Sequence, residues 1–168
     1  PQKLMAFQDR AMQQLPLKQK TAMCVPYLQQ AGLVSRPPDC STGPRLSAIL
    51  AAAGDRVKMA GDVLDYDDFF RADDALVIDE KAFEKRIAKP KGARALLAKF
   101  AEDLAAAPAF DAASLELLLK EFIEREGIKI GDIIHALRVA TTGKAVGFGM
   151  FETLEILGRD SAVQRIRF

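Results

Sequence analysis

Apolar residues recur along this chain at three- and four-residue steps, and glycine or proline cuts each run short before it grows long. That combination confines the chain to a fold of many short helices. Leu4, Phe7, Ala11 and Met12 share one helical face. Pro16 opens the next run, at 17–31, in the first-turn position that a proline tolerates. Pro26 inside that run is expected to kink or break it, and Gly32 to cap its end. Ser35 to Gly43 reads as a loop, Pro44 to Ala53 as a helix ending at Gly54, and Arg56 to Leu64 as a second short helix. Tyr66 to Phe70, acidic and aromatic, is expected to bend the chain between two subdomains, 1–72 and 73–168. Asp79 opens a helix that Lys89-Pro90 ends. A further helix spans 91–106, and Asp111 caps another over 112–126, with Leu115, Leu118, Leu119, Phe122 and Ile123 facing the core. Gly127 ends it, and 129–168 reads as two more short helices joined by a glycine-rich loop. The only strand-like stretch, Ala75 to Ile78, is too short to build a sheet. The expected fold is an all-α bundle of short helices, held by tertiary packing rather than by propensity.

Composition narrows the function by exclusion. A hydrophobic fraction of 49% and a charged fraction of 28% are those of a folded globular chain. A net charge of +1 leaves nucleic acid open, because phosphate contact depends on a local basic face. The first segment is such a bias: Lys3, Arg10, Lys18, Lys20 and Arg36 stand against only Asp9 before Pro37. Cys24 and Cys40, without a CxxC partner, read as reduced thiols of a cytoplasmic protein rather than zinc ligands. No run reaches the roughly 20 apolar residues of a membrane span, and the N-terminus lacks a signal-peptide pattern. A chain opening on Pro1 is expected to be a processed product or an excised piece.

Catalytic machinery is missing from the pattern. Gly147-Phe148-Gly149 is a lone G-x-G without a third glycine or a preceding strand. The single histidine, His135, has no local nucleophile, and reads either as a helix-surface group or as an RNA contact. Asp65, Asp67, Asp68, Asp73 and Asp74 lack the EF-hand spacing and read as a solvated acidic linker partly paired with Arg71. Arg138 differs, as a cation in a mostly apolar helix before the glycine-flanked loop. Its planar fork suits base edges and base faces, Gly147 and Gly149 permit close backbone approach, and Phe148 offers a ring for stacking. The alternative is a plain interhelix turn with Phe148 in the core.

Three segments carry a resemblance. L-R-V-A-T-T-G-K from Leu137, followed by M-F-E-T-L-E-I-L-G-R from Met150, is similar to the C-terminal end of bacterial glutamyl-tRNA synthetases. A-A-A-G-D-R-V-K-M-A-G-D-V-L-D-Y-D-D-F-F at 51–70 and K-L-M-A-F-Q-D-R-A-M at 3–12 resemble the same family in the same order. The resemblance implies an all-α anticodon-binding region in two subdomains, acting as a monomer on the anticodon loop of tRNA-Glu. It implies base contacts from Arg138 and from loop positions Gly147, Phe148 and Met150, with Arg56 in the first subdomain reading the last anticodon base. Lys144, Arg159 and Arg165 are expected to meet phosphates. The family often has proline at the places of Ala136 and Phe148 and leucine at that of Met150, and loss of the first proline should let its helix start earlier. The family's catalytic half, with its ATP and magnesium chemistry, has no counterpart motif here, so no catalytic residue, cofactor or metal is expected in this piece. Two other readings stay open: a helical protein-interaction module using an apolar patch of Phe148, Met150 and Phe168, and a paralogue with a non-translational role.

Overall fold

A computed structural model describes residues 9–167, and these are helical without a strand. The chain divides into two compact units between Arg71 and Ala72. Leu4, Phe7 and Phe168 lie outside the described residues.

In the first unit a helical stretch at 9–14 leads to α1 (Leu17–Gln30) and α2 (Thr42–Ala53). Pro26 lies inside α1 without ending it, contrary to the expected break. The buried faces of the unit, with Cys24 and Leu28 from α1 and Leu46 and Ile49 from α2 fully enclosed, hold the helix through its proline. The second short helix expected at 56–64 is not formed as such. A single 3-10 turn at Gly54–Arg56 gives way to extended backbone, and 3-10 structure resumes over Ala60–Phe69, interrupted at Tyr66. Asp62 explains the restart: its Oδ2 accepts the N–H groups of Lys58 and Met59, both at 2.9 Å. The acidic aromatic stretch is therefore not a bend between subdomains. Asp68 and Phe69 are buried within the first unit, and Arg71 Nε meets Asp67 Oδ2 at 2.7 Å.

The second unit holds α3 (Glu80–Phe83), α4 (Ala93–Ala106), α5 (Ala112–Glu126), α6 (Ile134–Thr142), α7 (Met150–Leu157) and α8 (Arg159–Ile166). Asp79 caps α3 through the N–H groups of Lys81 and Ala82, and Asp111 caps α5 through Ser114. Past Phe83, α3 widens into a π turn at Glu84–Ala88, marked by the Lys89 N–H donating to Glu84 O at 2.9 Å. The stretch expected to form one helix after the glycine-rich loop is two: Gly158, at φ +80°, separates α7 from α8. One apolar cluster joins α4, α5, α6, α7 and α8, centred on Phe100 and Phe122, whose rings meet edge-on at 5.1 Å. Such a ring pair adds about 0.5–1.5 kcal/mol beyond its area.

Candidate nucleic-acid interface

α6 is short and mostly core. Ala136, Leu137, Val139, Ala140, Thr141 and Thr142 are buried, while His135 is exposed and Arg138 half-buried. The helix starts at Ile134, two residues ahead of Ala136. Its C-terminal carbonyls are satisfied from within: Thr141 Oγ1 donates to Leu137 O at 2.9 Å and Thr142 Oγ1 to Arg138 O at 2.8 Å. Gly143 ends the helix at φ +73°, and its carbonyl accepts the N–H of Asp79 at 2.8 Å. A Cβ at this position would also collide with the Val77 carbonyl, so only glycine fits.

The loop from Gly143 to Gly149 then alternates exposed and enclosed residues. Ala145, Val146, Gly147 and Gly149 face solvent, and Phe148 is anchored inward. Gly147 lies against the arginine: a methyl group there would stand 2.8 Å from Arg138 Nη1 and 4.0 Å from Cζ. That nitrogen is shielded from solvent although the residue as a whole is not. Thus the guanidinium rests beside the bare backbone of an exposed loop, at its edge. Gly149 is equally constrained, because the Glu152 carboxylate folds back over it, while Thr153 Oγ1 donates to Gly149 O at 2.8 Å. These contacts start α7 at Met150 and fix where the loop ends.

Four of the residues picked from the sequence are placed in or beside this loop in ways their type did not reveal. Phe148 is 3% exposed and Met150 5%, so both are anchors of the loop in the core. Phe148 has no ring face open for stacking, and neither it nor Met150 contributes to the exposed apolar patch expected from these two with Phe168, which lies outside the described residues. Lys144 is half-buried at the start of the loop, where its N–H donates to Thr142 Oγ1 at 3.2 Å. Gly147 is the loop residue that touches Arg138.

The other arginines are employed elsewhere. Arg165, expected to meet phosphate, is 2% exposed; its Nε lies 2.6 Å from Asp73 Oδ1 and its Nη1 donates to Thr141 O at 2.9 Å. It is a clip inside the fold, and the expected phosphate contact does not hold for it. Arg159 donates from Nη2 to Ala107 O at 2.6 Å and its guanidinium lies 5.5 Å from the Phe110 ring centre, tying α8 to the α4–α5 connection. Arg56, in the first unit, is exposed and donates from Nη1 to Ala53 O at 3.3 Å. Val146, at the loop tip and 79% exposed, carries no charge or ring and so gave no signal in the sequence.

The second unit thus sets a half-buried arginine of α6 against a glycine of an exposed loop. The chain belongs to the anticodon binding domain family, whose model matches residues 19–168. It is 34% identical over 146 residues to a glutamate–tRNA ligase of Moorella thermoacetica, a match covering 87% of this chain and 29% of that protein. It is 33% identical over 168 residues to the glutamate–tRNA ligase of Salinispora arenicola, covering 98% of this chain and 35% of that one. The chain therefore spans about a third of the length of these relatives. A crystal structure of a glutamate tRNA ligase from Elizabethkingia meningosepticum shares the fold, with a TM-score of 0.84 at 18% identity over 99% of this chain and 31% of that one.

Proposed function

We propose that this chain recognises tRNA-Glu through its anticodon, as a monomeric part of a cytoplasmic ligase that joins glutamate to that tRNA with ATP and magnesium. The observation that carries the reading is the Arg138 guanidinium set against Gly147 at the edge of an exposed loop. An unstacked base entering there meets a planar cation able to bond its edge or lie over its face. It also meets the exposed backbone of Gly147, which carries no side chain of its own. The Thr142 and Gly143 contacts hold the helix end that aims the arginine, so little ordering remains when the base arrives. Lys144 supplies a charge for the neighbouring phosphate.

Adenylate formation and transfer of glutamate belong to the rest of the proposed ligase. The described residues contain no group of three or more His, Cys, Asp or Glu side chains that could hold a metal ion. No helix among them is long and apolar enough to cross a membrane. Fluorescence anisotropy with tRNA-Glu and with a transcript altered only in the anticodon tests the reading. The chain is expected to favour tRNA-Glu by about 5- to 150-fold, the discrimination of one good base contact at about 1–3 kcal/mol. Equal binding of the two transcripts would contradict it.

A further inference from the structure

We infer that a second surface of the C-terminal unit, the groove between the π turn after α3 and the start of α6, seats the sugar–phosphate backbone of the bound RNA. The inference rests on the reading that this chain binds RNA, and concerns residues that reading did not use. The groove has a volume of about 390 Å³, and its charged lining is Lys85, Arg86 and Lys91 against a single carboxylate, Asp132. His135 completes the wall from α6, and the small side chains of Ala93 and Ala136 leave it depth.

The local chemistry keeps these cations available. Asp132 Oδ2 accepts the Lys129 N–H at 2.8 Å, which engages that carboxylate in closing its own turn. Glu84 is paired with Lys89 at 3.2 Å, and neither of these lines the groove. Lys85 and Lys91 are exposed and Arg86 half-buried. The π turn packs against α6, which fixes one wall to the helix that carries Arg138. π turns recur at functional positions because they reorient side chains that a regular helix would turn away.

Position argues for a backbone rather than for a free anion. His135 precedes Arg138 by three residues, so the groove reaches α6 about 4.5 Å along the axis and about 60° around it from the arginine. A strand that delivers a base to Arg138 carries its phosphates past the same stretch of α6. Lysines without a bidentate partner meet phosphates independently of sequence, whereas a base edge calls for fixed donors and acceptors. The groove therefore supplies affinity and register, and the Arg138 loop supplies choice.

The test is an anisotropy titration of the whole chain at 50–200 mM salt, against tRNA-Glu and the anticodon-altered transcript. Lys85→Ala combined with Lys91→Ala should weaken both RNAs by the same factor and flatten the log–log salt dependence by about 1.4–1.8, two contacts at about 0.7–0.9 each. Lys85→Arg with Lys91→Arg should restore both values. Wild-type affinity and slope in the alanine pair would overturn the groove, and so would lost affinity with an unchanged slope. If Arg138→Ala nevertheless removes preference for tRNA-Glu, the anticodon reading survives that failure. If instead Arg138→Ala changes nothing and the alanine pair flattens the slope, the groove stands and base reading falls. Failure of the chain to bind either RNA overturns both. Poly-glutamate binding to the wild type, lost in the alanine pair and tighter than RNA, would assign the groove to an acidic protein segment and overturn the proposal.

Discussion

Arg138 and Arg165 lie in helices that pack on one another, and they do opposite things. Arg165, on α8, is sealed in, with its Nε on Asp73 and its Nη1 on the Thr141 carbonyl. Arg138, on α6, keeps part of its surface in solvent and lies against a loop glycine. Both were candidates for RNA, Arg138 for base contacts beside the glycine-rich loop and Arg165 for phosphate contacts. Under the proposed reading, a positive charge serves a nucleic-acid site only when its surroundings leave it reachable. A guanidinium fully committed to internal acceptors holds a fold together.

The largest effect should come from breaking the buried member. Arg165→Met strands the Asp73 carboxylate and the Thr141 carbonyl and should destabilise the chain by about 3 kcal/mol, at the low end for a buried pair because Asp73 keeps some contact with water. Urea unfolding measures it, and a loss under about 1 kcal/mol would mean the clip contributes little. Next come two glycines of the loop, one at its start and one inside it. Gly143→Ala meets both a positive φ and the Val77 carbonyl, so about 1–3 kcal/mol of stability should go. Gly147→Ala meets only the far end of the Arg138 side chain, which can swing aside. Its stability should change by less than about 0.5 kcal/mol, while binding of tRNA-Glu weakens because the guanidinium has been displaced. A large stability loss in Gly147→Ala, or unaltered RNA binding, would break the contrast.

The smallest expected effects concern the first unit and the cap of α5. Cys24 is buried, and its thiol is pushed up to about 11, by burial first and by the Asp62 charge second. Cys40 is exposed. At pH 8 a disulfide reagent should therefore modify Cys40 in the native chain and Cys24 only after unfolding; equal rates would show that the first unit is open. Asp111 has its carboxyl held below the ordinary aspartate value, chiefly by the Ser114 hydroxyl and then by backbone N–H groups. A folded value below the unfolded one means that its contribution is present above about pH 4 and lost as pH falls further. Asp111→Ala should lower the melting temperature more at pH 7 than at pH 2.5. A drop of equal size at both values would assign the effect to something other than the charged cap.

Much of the fold was legible because its signals are local. Asp79 and Asp111 announced their helices, Gly127 ended one, and the spacing of Leu115, Leu119 and Phe122 marked a face that is indeed buried. Gly158 was also readable as a break and was passed over. What the sequence hid depends on partners far along the chain. Nothing near Arg165 reveals that Asp73, 92 residues earlier, will neutralise it. The π turn at Glu84–Ala88 has ordinary helical composition, and tertiary packing decides its pitch. For the same reason Phe148 and Met150, which look like a reading surface, became anchors that hold the loop for its exposed neighbours.

The claim at the centre is that the half-open arginine senses an anticodon base. A double-mutant cycle pairing Arg138→Ala with substitution of one anticodon base at a time, read by anisotropy at fixed salt, tests it most directly. One base should show a coupling of about 1–3 kcal/mol with Arg138, and the others close to none. Additive losses at every anticodon position would contradict the account.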